Sequence, residues 1–199
     1  QGQGSSGSIG GAIMDDRITL YREWLPLEKK QFRILAMLAD KGEYTGNLST
    51  LCDYFSLSRQ QHNRNALRTA IEQLAATGYI TYTTEGRTYR ITAVPKATAI
   101  TIPREWLQRL IAHDYSSEDV AWEQVLKVLL WVCDNKKPVI QNQMIADDLQ
   151  VSVSAIGYAK NVLEYEYAAI RRRKVSEKIG DDFFRTIGQE LAASAWWNN

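Results

Sequence analysis

Cysteine, proline, histidine and charge excess are all scarce in this sequence, and each scarcity excludes a class of protein. The 199 residues hold two Cys, four Pro, two His and 12 Gly, with a formal net charge of +1. Cys52 and Cys133 stand far apart within apolar patterns, which excludes a disulfide scaffold and reads as two reduced core thiols. With 45% hydrophobic residues and so little Pro and Gly, the chain is neither collagenous nor largely disordered. No run approaches the roughly 18 to 20 uncharged apolar residues of a membrane span, and no basic then apolar start marks a signal peptide, so a cytoplasmic chain without membrane contact is expected. His62 and His113 lack the spaced companions of a zinc site. There is no Gly-rich phosphate loop, nucleophile elbow or supported carboxylate pair. The sequence therefore predicts no catalytic residue, no metal, no cofactor and no enzyme.

What is present is amphipathic periodicity in two blocks. Residues 1–13, rich in Gly and Ser, bury too little apolar surface to offset their ordering entropy and are expected to be a flexible tail. The rest divides into units at 14–95 and 96–199, with a linker near 93–99. Phe32, Ile34, Leu35 and Leu38 recur at helical spacing before Lys41-Gly42, a helix ending. Leu48, Leu51, Cys52 and Phe55 repeat at i, i+3, i+4, i+7 behind Asn47, a suitable N-cap. Leu67, Ala70, Ile71 and Leu74 mark a third helix, closed by Thr77-Gly78. Residues 79–84 and 87–92 are β-branched and aromatic, and Glu85-Gly86 between them predicts a tight hairpin pairing Thr84 with Arg87, Tyr82 with Tyr89 and Ile80 with Ile91. In the second unit Trp106, Leu107, Leu110 and Ile111 follow Pro103 as a helix, a wider apolar stripe runs from 118 to 133, and a turn is expected at Asn135-Lys136-Lys137-Pro138. The fold class is mainly α with small β-hairpins, α+β overall.

A repeat links the two units. Leu51-Cys52-Asp53-Tyr54-Phe55-Ser56-Leu57-Ser58 matches Ile145-Ala146-Asp147-Asp148-Leu149-Gln150-Val151-Ser152 at an offset of 94 residues, with apolar residues at the same four positions and Ser at the last. Charge is not shared equally. Residues 16–95 carry 11 Lys and Arg against 8 Asp and Glu, whereas residues 96–199 carry 13 against 14. The excess concentrates at 58–90, with five Arg and two Glu.

The eight-residue pattern, followed by an amphipathic helix, a Gly exit at Gly78 and the strand start Tyr79-Ile80, resembles the helix-turn-helix of winged-helix DNA-binding proteins. The resemblance covers about 27–92 and, less fully, 118–187. It implies two tandem winged-helix domains and double-stranded DNA as partner, in a transcriptional regulator or a plasmid or phage replication initiator. In that family the second helix of the motif enters the major groove, which requires exposed donors on that helix. Here the residues off the Leu67-Ile71-Leu74 stripe include Arg59, Gln60, Gln61, His62, Asn63, Arg64, Asn65 and Arg68, with Arg87 and Arg90 on the hairpin as backbone contacts. The stretch after Ser58 is about five residues longer than the family pattern: either the helix starts at Ser58 or a loop of residues 59–63 precedes it.

In the second copy Ser152, Ser154, Tyr158 and Lys160 lie off the Ile156-Ala159-Leu163-Tyr167 stripe, beside Glu164 and Glu166. A second hairpin is expected to carry Arg171, Arg172, Arg173 and Lys174 ahead of a Gly180-Asp181-Asp182 turn. That run reads as a phosphate contact, as a solvated charge run offset by Glu177, Asp181 and Asp182, or as a protein contact. The alternative to DNA binding is a winged-helix adaptor that binds a second copy of the chain or a protein of the replication or transcription machinery. Trp196 and Trp197 are left without a role.

Overall fold

A computed structural model describes residues 16–135 and 141–177. The elements alternate in a simple order. Strand β1 (Arg17–Tyr21) leads through a single 3-10 turn at Arg22–Trp24 to helix α1 (Lys29–Lys41), strand β2 (Glu43–Gly46), helix α2 (Leu48–Tyr54) and helix α3 (Gln61–Ala76). Strands β3 (Ile80–Glu85), β4 (Thr88–Ala93) and β5 (Ala99–Pro103) follow, then helices α4 (Arg104–Ala112), α5 (Trp122–Asn135), α6 (Asn142–Leu149) and α7 (Val153–Glu177). The chain is α+β, with seven α-helices and two small antiparallel sheets among the described residues.

Helix α1 is the centre of the first unit because six of its residues, Phe32 and the run from Ile34 to Leu38, are buried. It stops at Gly42, whose φ of +81° lets its N–H reach Leu38 O at 2.7 Å. Asn47 caps α2, its Oδ1 accepting from Thr50 N at 2.8 Å. Leu48, Leu51 and Cys52 then pack down, and Leu67, Ala70, Ile71 and Leu74 bury the matching face of α3. The sheet order β2-β4-β3 places the hairpin beside these helices.

The hairpin register differs from the expectation by two residues. Thr84 pairs with Tyr89, Tyr82 with Ile91 and Ile80 with Ala93, so the two loop residues are Gly86 and Arg87 rather than Glu85 and Gly86. Gly86, at φ +61°, occupies the first loop position, where the mirror-image hairpin turn demands a positive φ. Because side chains alternate with period two, a slip of two residues leaves every one on its predicted face. The Tyr82 and Tyr89 rings still stack, with centroids 5.9 Å apart.

The repeat extends to whole elements. Helices α5 and α6 respectively end and begin 94 residues after α1 ends and α2 begins. The two described non-glycine residues with positive φ, Ser56 at +54° and Gln150 at +55°, share that offset. So do the bonds Leu57 N to Cys52 O and Val151 N to Ala146 O, at 2.8 and 3.1 Å. The same turn is built twice.

Three departures are corrections. Strands β1, β2 and β5 form where no strand was expected, and β1 pairs with β5, Ile18 facing Ile102 and Leu20 facing Ile100, across the boundary drawn at residue 95. Six residues separate α2 from α3, which starts at Gln61, between the two starts considered. The second hairpin is absent from its expected place: Arg171, Arg172, Arg173 and Lys174 lie within the helix α7. Ala, Arg and Lys there are strong helix formers, and propensity continues the helix where the repeat suggested a strand. The tail, the residues 136–138, the Gly180-Asp181-Asp182 turn, Trp196 and Trp197 lie outside the described residues.

One contiguous apolar core runs through both units, from Leu20 and Trp24 through Phe32 and Leu35 to Val128, Leu129 and Ile156. Its polar seam is Glu123 on α5, which accepts from Arg33 Nε and Nη2 at 3.1 Å and lies 3.2 Å from Lys29 Nζ.

Candidate functional site

The buried stripe of α3 forces its remaining residues outward, and the hairpin tip curls toward them. Arg64 and Arg68 of α3, Arg87 at the tip, Asn47 and Ser49 of the α2 start, and Tyr89 of β4 line one groove of about 420 Å³. No carboxylate lines it. This groove brings together only part of the expected set. Asn47, Ser49 and Tyr89 are additions; Asn47 was legible as a cap and Tyr89 as a hairpin residue, but the folding of the tip over α3 had no sequence signal.

Ion pairing separates the arginines into two groups. Arg22 bonds Asp134, Arg33 bonds Glu123, Arg104 bonds Asp16 and Asp40, and Arg109 bonds Glu166. Arg59 pairs with Asp53, and Arg90 lies 3.6 Å from Glu43. The Arg59 hydrogen bond holds the Asp53 carboxyl below its ordinary range. Arg64, Arg68 and Arg87 form no ion pair with the described residues. Three guanidiniums around one groove repel each other, and an anion placed there relieves the repulsion.

A short network orders two of them. Arg64 Nη2 donates to Gln61 Oε1 at 2.6 Å, Gln61 Nε2 to Asn65 Oδ1 at 2.7 Å, and Arg68 Nη1 to Asn65 Oδ1 at 3.2 Å. Arg64 Nε is shielded from solvent and has no acceptor. An unmet shielded donor costs roughly 1 to 3 kcal/mol, a cost that an acceptor reaching Arg64 Nε would remove.

The other expected residues fall elsewhere. Gln60 is exposed at the N-cap of α3, and half-buried Asn63 donates to Ser58 O and Oγ at 2.9 Å, which fixes the turn rather than facing the groove. In the second unit Ser152 Oγ caps α7 by accepting from Ala155 N at 3.2 Å, Ser154 is exposed, and Tyr158 is 37% exposed. Lys160 was expected on the open face and is only 4% exposed, with burial lowering its ammonium pKa. Ala159 and Val162, close to it on α7, are buried too. Nearby carboxylates complete the contrast: Asp147 accepts from Gln143 Nε2 and Asp148 from Trp131 Nε1. From 141 to 166 no cation is exposed.

The buried thiol of Cys52 has its pKa pushed up by desolvation, which makes it a poor nucleophile. Among the described residues no group of three His, Cys, Asp or Glu is placed to hold a metal, and no helix is long and apolar enough to cross a membrane. No protein-family model, no curated protein and no solved structure matches the chain.

Proposed function

We propose that this protein binds double-stranded DNA as a winged-helix protein, serving as a transcriptional regulator or replication initiator rather than as an enzyme. The reading assigns α2, its turn and α3 to a helix-turn-helix, α3 to the major groove, and the β3–β4 hairpin to a wing on the backbone. The observation that carries it is the groove in which Arg64, Arg68 and Arg87 face the same space without a carboxylate. Exposed α3 side chains supply the donors that base edges and phosphates accept. The repeated turn supports a tandem arrangement, with unequal roles. The start of α7 offers hydroxyls and no exposed cation, so base discrimination is assigned to the first unit, and the Arg171 to Lys174 run to backbone contact.

Titration of a random 30-base-pair duplex by fluorescence anisotropy tests the proposal. Neutralising at least three phosphates makes the logarithm of affinity fall with the logarithm of salt at a slope of about −2.7 or steeper. A flat dependence, or no binding at 50 mM salt, overturns it in favour of an adaptor that binds protein.

A further inference from the structure

The groove's charged atoms are all guanidinium donors, and from this we infer that α3 reads guanine in preference to adenine. The inference rests on the DNA-binding reading above. A guanidinium carries donors only, so whichever amide atom faces it is an oxygen. That requirement orients the chain Arg64, Gln61, Asn65, Arg68: Gln61 turns its oxygen to Arg64, its nitrogen therefore points at Asn65, and the Asn65 oxygen accepts from both Gln61 and Arg68. Both lone pairs of Asn65 Oδ1 are used.

Adenine recognition by Asn or Gln needs the amide oxygen for the base's amino group and the amide nitrogen for N7. Asn65 has no oxygen lone pair left, and the Gln61 oxygen, with one lone pair still open, is turned to Arg64. Asn47 Oδ1 is likewise occupied, accepting from Thr50 N and Oγ1. What Arg64 and Arg68 present beyond this network is their remaining guanidinium N–H groups. Guanine offers two adjacent acceptors, O6 and N7, and is the base edge that a donor fork matches with both arms. An adenine or cytosine amino group at the same place meets donors and is left unbonded. Gln61 and Asn65 are thus positioning residues for Arg64 and Arg68, and Asn65 contributes to specificity by withholding its oxygen.

The experiment is selection of binding sites from random duplexes with the full chain, followed by anisotropy on the selected duplex and on a copy with 7-deazaguanine, which lacks the N7 acceptor. The selected sites are expected to hold one or two fixed guanines, and each 7-deaza replacement to weaken binding roughly 5-fold or more. Asn65→Ala, at an exposed position, is expected to reduce several-fold the ratio of affinities for the selected duplex and its 7-deazaguanine copy. Fixed adenine in the selected sites, with that preference lost in Asn65→Ala, overturns the inference and leaves DNA binding intact. So does a selected site indifferent to 7-deazaguanine. Absence of salt-dependent binding to any duplex overturns both.

Discussion

Glu123→Ala should be among the most damaging single changes outside the apolar core, and its cost can be worked from the seam between α1 and α5. The Glu123 side chain is 6% exposed and that of Arg33 17%, whereas that of Lys29 is 59% exposed. Removing one member of a buried, hydrogen-bonded pair costs about 3 to 5 kcal/mol, because the survivor is left charged and unpaired. Arg33 is not wholly enclosed, and it keeps the Trp122 ring 5.6 Å from its guanidinium carbon. A cation over an aromatic face retains about 0.5 to 1 kcal/mol, and solvent reaching the 17% exposed Arg33 side chain screens more, so the net loss is placed at the lower end, about 2 to 3 kcal/mol. For a chain of this length that corresponds to a fall in Tm of roughly 4 to 12 °C. Lys29→Ala removes a solvent-screened partner of the same carboxylate and should cost less than about 1 kcal/mol. Replacing Glu123 and Arg33 together by Met should recover at least half of the loss, since the one charge left without its partner, Lys29, is 59% exposed and solvated. Urea and thermal unfolding followed by circular dichroism measure all three. Equal losses for Glu123→Ala and Lys29→Ala would refute the reasoning, because they would show the seam to be as solvated as an ordinary surface pair.

Further outcomes follow from other sites. Gly46→Ala puts a Cβ 2.6 Å from the Tyr44 hydroxyl, which donates to Asn47 O at 2.7 Å. The resulting crowding should cost about 1 to 3 kcal/mol in urea unfolding, and a cost under 0.5 kcal/mol would mean that the ring moves freely. Burial pushes the Tyr44 phenol up to about 12. The unfolded phenol, titrating near 10, ionises first, so this stability is intact below pH 10 and is lost as pH rises toward 12. Tyr44→Phe should flatten that loss in unfolding curves from pH 9 to 11.5, and a parallel decline would remove Tyr44 from the explanation. Replacing Arg171, Arg172, Arg173 and Lys174 by Ala should lower affinity for all duplexes while leaving the selected sequence unchanged, because phosphate contacts position without reading bases. Undiminished affinity of that variant at 20 mM salt would contradict a backbone role.

The first unit was legible because its signals were redundant. Asn47 as a cap, a four-residue apolar stripe and a Gly exit all point to the same helices, and each formed within a few residues of its expected bounds. The hairpin was legible in face but not in register, since parity fixes which side Tyr82 and Tyr89 take while only the turn geometry decides their partners. Strand β2 was not legible: Glu43-Tyr44-Thr45-Gly46 has a single apolar side chain, and it becomes a strand through pairing with β4, 43 to 49 residues away. The alternation in Arg17-Ile18-Thr19-Leu20 and in Ala99-Ile100-Thr101-Ile102 was a readable signal, and its meaning depended on the two segments meeting. For the site, the exposed donors of α3 were visible as residue types. That Arg59 and Arg90 would pair with carboxylates while Arg64, Arg68 and Arg87 would not is a matter of tertiary placement.

The central claim is that those three arginines form an anion-facing surface for DNA. Its most direct test is the salt dependence of random-duplex binding by the parent chain and by the triple variant Arg64→Ala, Arg68→Ala, Arg87→Ala, with the Arg59→Ala, Arg90→Ala double variant as the paired-arginine control. Each lost phosphate contact flattens the slope by about 0.9, so the triple variant should lose about 2.7 units and the control distinctly less. Parallel lines for the parent and the triple variant would contradict the account.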